Sequence, residues 1–210
     1  RFERGLRRDF RLGNIDERGF QRYFLLMRTQ RKFADAAKGL EKWMASLGAV
    51  SADRLGVFAD AYAAIGYPVP AWKAAYARYI TADSGGKEAA LYQLTNLTKA
   101  AAGRGLQLGS GTGLILSNKH FDTAPGILGG LLSLLYNNAD AGRKFEDLDR
   151  MSKDYAVHRA YFSLFEKFEA EYPESEHLGT LYAGAIEIFN SYGRAREAFE
   201  LAERFMNQQP

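Results

Sequence analysis

Three windows of the chain carry the same pattern of large and small residues, and their spacing limits the fold more than any other feature. The first reads Phe20, Tyr23, Met27, Phe33, Ala36, Leu40, Trp43. The second reads Leu55, Phe58, Tyr62, Gly66, Ala71, Ala75. The third reads Tyr182, Ala185, Phe189, Gly193, Ala198, Ala202, Phe205, Pro210. The apolar positions recur at three- and four-residue intervals, the period of one helix face. Ala36 and Ala71 lie 35 positions apart. A period of roughly 34 residues marks stacked helix pairs, each unable to bury its apolar face alone.

Local signals divide the chain further. Residues 1–14 are arginine-rich and end at a Gly13-Asn14 turn. Asp16 is placed to cap a helix running through Gln30, and a second helix spans Phe33 to Leu47 with Gly48 beyond it. Ser51 opens a third helix that stops at Ile65-Gly66. Tyr67-Pro68-Val69-Pro70 then leads rigidly into a helix from Ala71 to about Tyr79. Ala71, Ala74 and Ala75 let that helix approach a neighbour closely. Asp83 to Gly86 break the chain, and a helix from about Lys87 to Ala102 follows, with Leu91, Leu94 and Leu97 as its stripe.

There the repeat fails. Residues 103–113 are rich in glycine, at a cost of ~1 kcal/mol per glycine in a helix, so they read as loop. Leu114 to Leu116 read as a short extended piece, Pro125 to about Tyr136 as an apolar helix, and Asp140 to Glu171 as two helices divided near residues 152–154. After the Pro173 to Ser175 break, the last helices span about Glu176 to Tyr192 and Ala195 to Asn207. The organisation is a basic segment (1–14), two helical hairpins (15–82), an atypical helical section (83–150) and C-terminal hairpins (151–210).

Composition narrows the function classes. At 47% apolar the chain can bury a core, yet no run approaches the ~20 apolar residues of a membrane span. The absence of cysteine excludes disulfides, thiolate metal sites and cysteine nucleophiles. The net charge is only +3, but it is unevenly placed. Ten basic side chains face four acids in residues 1–32, while nine glutamates face Lys167, Arg194, Arg196 and Arg204 in residues 166–204. In an elongated solenoid these charges sit at opposite ends, where they steer association. The chain opens on Arg1, so it reads as a processed or excised piece, and a signal peptide before it would not be seen here.

The repeat pattern resembles that of tetratricopeptide-repeat (TPR) proteins. The last unit matches best, with Gly193 at the turn, Ala198 five residues on, Phe205 in the second helix and a closing Pro210. The preceding unit closes with Phe165, Phe168, Tyr172 and Pro173. The phrase from Phe168 to Ser175 is similar to repeats of bacterial envelope-associated members. The resemblance covers roughly 15–82 and 156–210; the middle departs from it. It implies an all-α, right-handed α-α superhelix of about ten helices. It implies a non-catalytic scaffold or accessory subunit whose partners are other protein subunits, without a cofactor. It points to the periplasm or cell envelope over the cytoplasm. The alternatives are a helical domain that positions a cell-envelope enzyme, and a ligand module built on the glycine loop. In this family the first helix of each repeat lines the concave groove. Position by position, that implies Arg18, Gln21, Leu25 and Arg28 from the first repeat. The second repeat adds Asp53, Asp60 and Ala63, and the last Thr180, Glu187 and Asn190. The competing reading of each is a solvated polar residue on an amphipathic helix.

Other constellations yield less. Gly109-Ser-Gly-Thr-Gly113 could cradle phosphate through its N–H groups. It lacks the lysine of a P-loop, and what precedes it reads as helix, so a connector is the simpler account. Ser110 lacks the glycine frame of a nucleophile elbow, since Leu108 and Thr112 fill those positions. His120, His158 and His177 include no pair at i, i+4. The acid clusters Glu169/Glu171 and Glu174/Glu176 read as solvated surface, and the aromatics from Tyr155 to Phe168 as core. The arginine-rich start reads first as a docking element for a protein and next as a solvated tail. Nucleic acid or anionic lipid at a membrane surface comes last, because no nucleic-acid module accompanies it.

Overall fold

The computed structural model describes residues 2–47, 49–102, 104 and 155–208, and it is all-α, with no strand among them. The helices are α1 (Phe2–Leu12), α2 (Glu17–Thr29), α3 (Phe33–Ser46), α4 (Ala52–Ala64), α5 (Pro68–Thr81), α6 (Lys87–Ala101), α7 (Tyr155–Glu171), α8 (Leu178–Ser191) and α9 (Ala195–Gln208). The starts follow the sequence signals. The Asp16 carboxylate accepts the Gly19 N–H at 2.8 Å, and the Ser51 hydroxyl accepts that of Arg54 at 3.4 Å. The Asp83 side chain closes the turn before α6 by accepting the Gly86 N–H at 2.9 Å.

Three hairpins share one turn. After α2, α4 and α8 the chain enters the left-handed region at Arg31 (φ 56°), Gly66 (φ 80°) and Gly193 (φ 69°). The next N–H then reaches back to the helix: Lys32 to Met27 O at 2.8 Å, Tyr67 to Tyr62 O at 2.9 Å, and Arg194 to Phe189 O at 3.0 Å. This closes the orphan carbonyls of the helix end. Five residues beyond each turn residue stand Ala36, Ala71 and Ala198, all buried on the second helix of their hairpin. Thus α2/α3, α4/α5 and α8/α9 are three copies of one device.

α5 starts three residues earlier than expected. Pro68 and Pro70 lie inside its first turn, where a missing N–H leaves no bond unmade. The larger departure concerns α6. Its sequence shows no partner helix nearby, yet α7 packs along it as closely as α3 packs along α2. The pairing is antiparallel: Tyr92 of α6 lies against Phe168 of α7, while Lys99 and Tyr161 meet at Gly184 of α8. α6 and α7 are therefore the two halves of a fourth pair, separated by residues 102–154 in place of a tight turn. Expectations for Gly48, the glycine-rich loop, Leu114 to Leu116, Pro125 to Tyr136, the first helix after Asp140, and Pro210 fall outside the described residues.

The basic start is a helix as well. α1 buries Leu6 and Phe10, and the Phe10 ring stacks on Tyr23 at 3.9 Å. Gly13 (φ 74°) ends it, with Asn14 N–H bonded to Asp9 O at 3.0 Å. One continuous core runs through the described helices. Two buried polar groups find partners inside it: Trp72 Nε1 donates to Thr98 Oγ1 at 2.7 Å, and the Tyr161 hydroxyl donates to Leu181 O at 2.6 Å, whereas Trp43 Nε1 and Ser163 Oγ are buried with no partner among the described residues.

Candidate functional site

The first helices of the four pairs are linked side by side by polar contacts. Arg54 of α4 meets Glu17 of α2 at 3.1 Å. Gln93 Nε2 of α6 donates to the Asp60 carboxylate of α4 at 2.6 Å. Lys99 of α6 pairs with Glu187 of α8. These links join α2 to α4, α4 to α6 and α6 to α8.

All ten residues implied to line a groove are exposed. On α2, the buried Phe20, Tyr23, Phe24 and Met27 turn Arg18, Gln21, Leu25 and Arg28 outward. Arg18 and Arg28 are ten residues apart, close to three turns at ~3.6 residues each, so they share a face. Neither enters an ion pair, nor does Arg22. Arg18 and Arg22 line an open notch of about 620 Å³ between α1 and α2, with Gly5, Asp9 and Asn14 on its other wall.

The acidic row behaves differently. Asp60 is committed to the buried Gln93, which also donates to Gly56 O at 3.1 Å and accepts from Arg78 Nη1 at 3.0 Å. Gly56 makes this possible: a Cβ there would stand 2.9 Å from the Arg78 guanidinium carbon. Asp53 lies in a separate cleft of about 240 Å³, lined also by Ser51, Arg78, Thr81 and Asp83. Glu187 is held by Lys99, while Ala63, Thr180 and Asn190 are exposed and carry no charge. The face is thus unevenly charged, with free guanidinium groups on α2, while Asp60 on α4 and Glu187 on α8 are engaged and Asp53 on α4 is not.

Sequence reasoning missed Gln93, Arg78 and Lys99. Gln93 and the threonines Thr95 and Thr98 interrupt the apolar stripe of α6 and are buried, which was the available signal. Glu169 of α7 accepts from the Tyr182 hydroxyl and meets Arg204 of α9 at 3.0 Å, so this acid fastens three helices. Burial, and then the bond to Glu169, push the Tyr182 hydroxyl up to about 12. His177 stacks on Tyr92 at 4.0 Å, and His158 Nδ1 lies 2.8 Å from the Tyr192 hydroxyl. Among the described residues no helix is long and apolar enough to cross a membrane, and no cluster of three or more acids or histidines is gathered as for a metal ion.

Comparison of the chain with known protein families, with curated proteins and with solved structures found no match.

Proposed function

We propose that the chain is a non-catalytic, TPR-like interaction subunit of a larger envelope-associated assembly, docking another protein on the face of α2, α4, α6 and α8. The observation that carries this reading is the ladder of contacts Glu17–Arg54, Asp60–Gln93 and Lys99–Glu187. It holds four helices edge to edge and leaves Arg18, Arg28 and Leu25 free. The repeated turn at tetratricopeptide spacing supports a right-handed superhelix with this face on its concave side. Arginine suits such a role because its planar fork pairs bidentately with carboxylates. A partner segment with acidic side chains around an apolar residue fits α2 best.

The test is the association rate with a partner captured on the intact chain. Reversing Arg18→Glu and Arg28→Glu should slow association by about tenfold at low salt and flatten its salt dependence, because such charges act on encounter. An unchanged rate and slope would remove α2 from the interface.

A further inference from the structure

The two ends of the helix stack carry opposite, self-repelling faces. α1 packs mainly on α2, and turns Arg4, Arg8 and Arg11 outward at i, i+4 and i+7, with Leu12 beside them at 65% exposure. Arg4 and Arg11 enter no ion pair, and Arg8 meets only its neighbour Asp9, at 3.4 Å. At the other end, α9 packs mainly on α8 and turns Phe199 and Met206 outward, 64% and 63% exposed and seven residues apart. Glu200 and Glu203 flank them. Glu203 enters no ion pair, and Glu200 meets Arg196 in an exposed bridge of the kind worth ~0–1 kcal/mol.

We infer that these faces are complementary halves of one contact, through which a second copy of this chain docks its α9 on α1 of the first. Three observations select this occupant. The charges match in sign and spacing, since Arg8 and Arg11 are three residues apart, as are Glu200 and Glu203. Both faces carry uncovered apolar side chains next to the charges, and arginine stems and guanidinium planes cover aromatic rings such as Phe199. Each face also opposes its own kind: α1 on α1 would set arginines together, and α9 on α9 would bring Glu203 against Glu203. The contact is therefore head-to-tail. Such a contact leaves one free α1 and one free α9 on every assembly, so copies add in a row unless the rotation closes a ring. A single helix-on-helix contact falls short of the ~1,200 Å² of a stable complex, so the assembly is weak and concentration-dependent. This face is separate from the groove of α2, α4, α6 and α8, and its test does not depend on the groove partner.

The experiment is sedimentation velocity of the intact chain over a concentration series at low salt. The expected result is a mass-average that climbs with concentration past dimer and falls on adding salt. Arg4→Glu/Arg8→Glu/Arg11→Glu, and separately Glu200→Arg/Glu203→Arg, should each weaken association at least about tenfold, equivalent to about 1.4 kcal/mol. Mixing the two variants should restore it, because each then meets a face of opposite sign. Restoration also shows that both variants are folded. A chain that stays monomeric at every concentration overturns the inference. So does a dimer that survives the α1 reversal, which would assign the contact to α9 on α9. A monomer that instead sediments with phosphatidylglycerol vesicles through α1 also overturns it, giving that face to an anionic lipid surface.

Discussion

Replacing Arg31 with glycine should stabilise the protein, and the mirror change at Gly66 should destabilise it. Arg31 is the one non-glycine residue at positive φ among those described, and it occupies the turn position that Gly66 and Gly193 fill elsewhere. An L-residue in that region costs roughly 1–2 kcal/mol, through the clash of Cβ with the following carbonyl. Glycine returns ~0.4–1 kcal/mol of this, because the unfolded chain becomes more flexible. The net gain for Arg31→Gly is about 1 kcal/mol. Gly66→Ala runs the same balance backwards. A Cβ at Gly66 would meet nothing within 4 Å, so no packing gain or clash enters. The assay is urea unfolding followed by far-UV circular dichroism. The midpoint should rise for Arg31→Gly and fall for Gly66→Ala at unchanged slope, with melting shifts of about 2–4 °C for a chain of this size. A destabilised Arg31→Gly, or a neutral Gly66→Ala, would refute the equivalence of the three turns.

Ala71→Leu and Ala198→Leu should each lower stability by about 1–3 kcal/mol in thermal unfolding, since both alanines are buried and a larger side chain must displace packed neighbours. Thr98→Val should cost about 1–3 kcal/mol by urea titration, because the buried Trp72 Nε1–H loses its acceptor. Stability should also decline in alkali. Tyr182 ionises at about 12 in the folded protein against 10.0 in its ordinary state, so its contribution is complete below pH 10 and lost as pH rises towards 12. In Tyr182→Phe, ultraviolet titration should show one late-ionising tyrosine fewer and a shallower alkaline loss.

Helix boundaries were legible because their chemistry is local: Asp16, Ser51, Gly66 and Gly193 act on backbone groups within a few residues. The outward orientation of Arg18, Gln21, Leu25 and Arg28 was legible for the same reason, as it follows from the period of α2. Contacts between distant helices were not. Nothing near Asp60 in sequence announces Gln93, and nothing after Ala101 announces that the helix ending at Glu171 is the partner of α6, since packing partners are chosen by shape across the fold. α1 was hidden by composition, its two core residues Leu6 and Phe10 lying among arginines. Arg31 was hidden because glycine, the residue that usually marks a left-handed turn, is absent there.

The long connection between α6 and α7 sets an order on how the molecule comes together. In the unfolded chain roughly fifty residues separate these helices, against about three in the other hairpins, so joining them carries about 2–3 kcal/mol of additional closure entropy. The hairpins α2/α3, α4/α5 and α8/α9 can each form from neighbouring segments within microseconds, as local elements do. The seam between α6 and α7 must wait for two separately formed halves to meet. It is then the natural last step of folding. A binder that grips both α4 and α8 would hold that seam closed, stabilising the whole molecule from one side of it to the other.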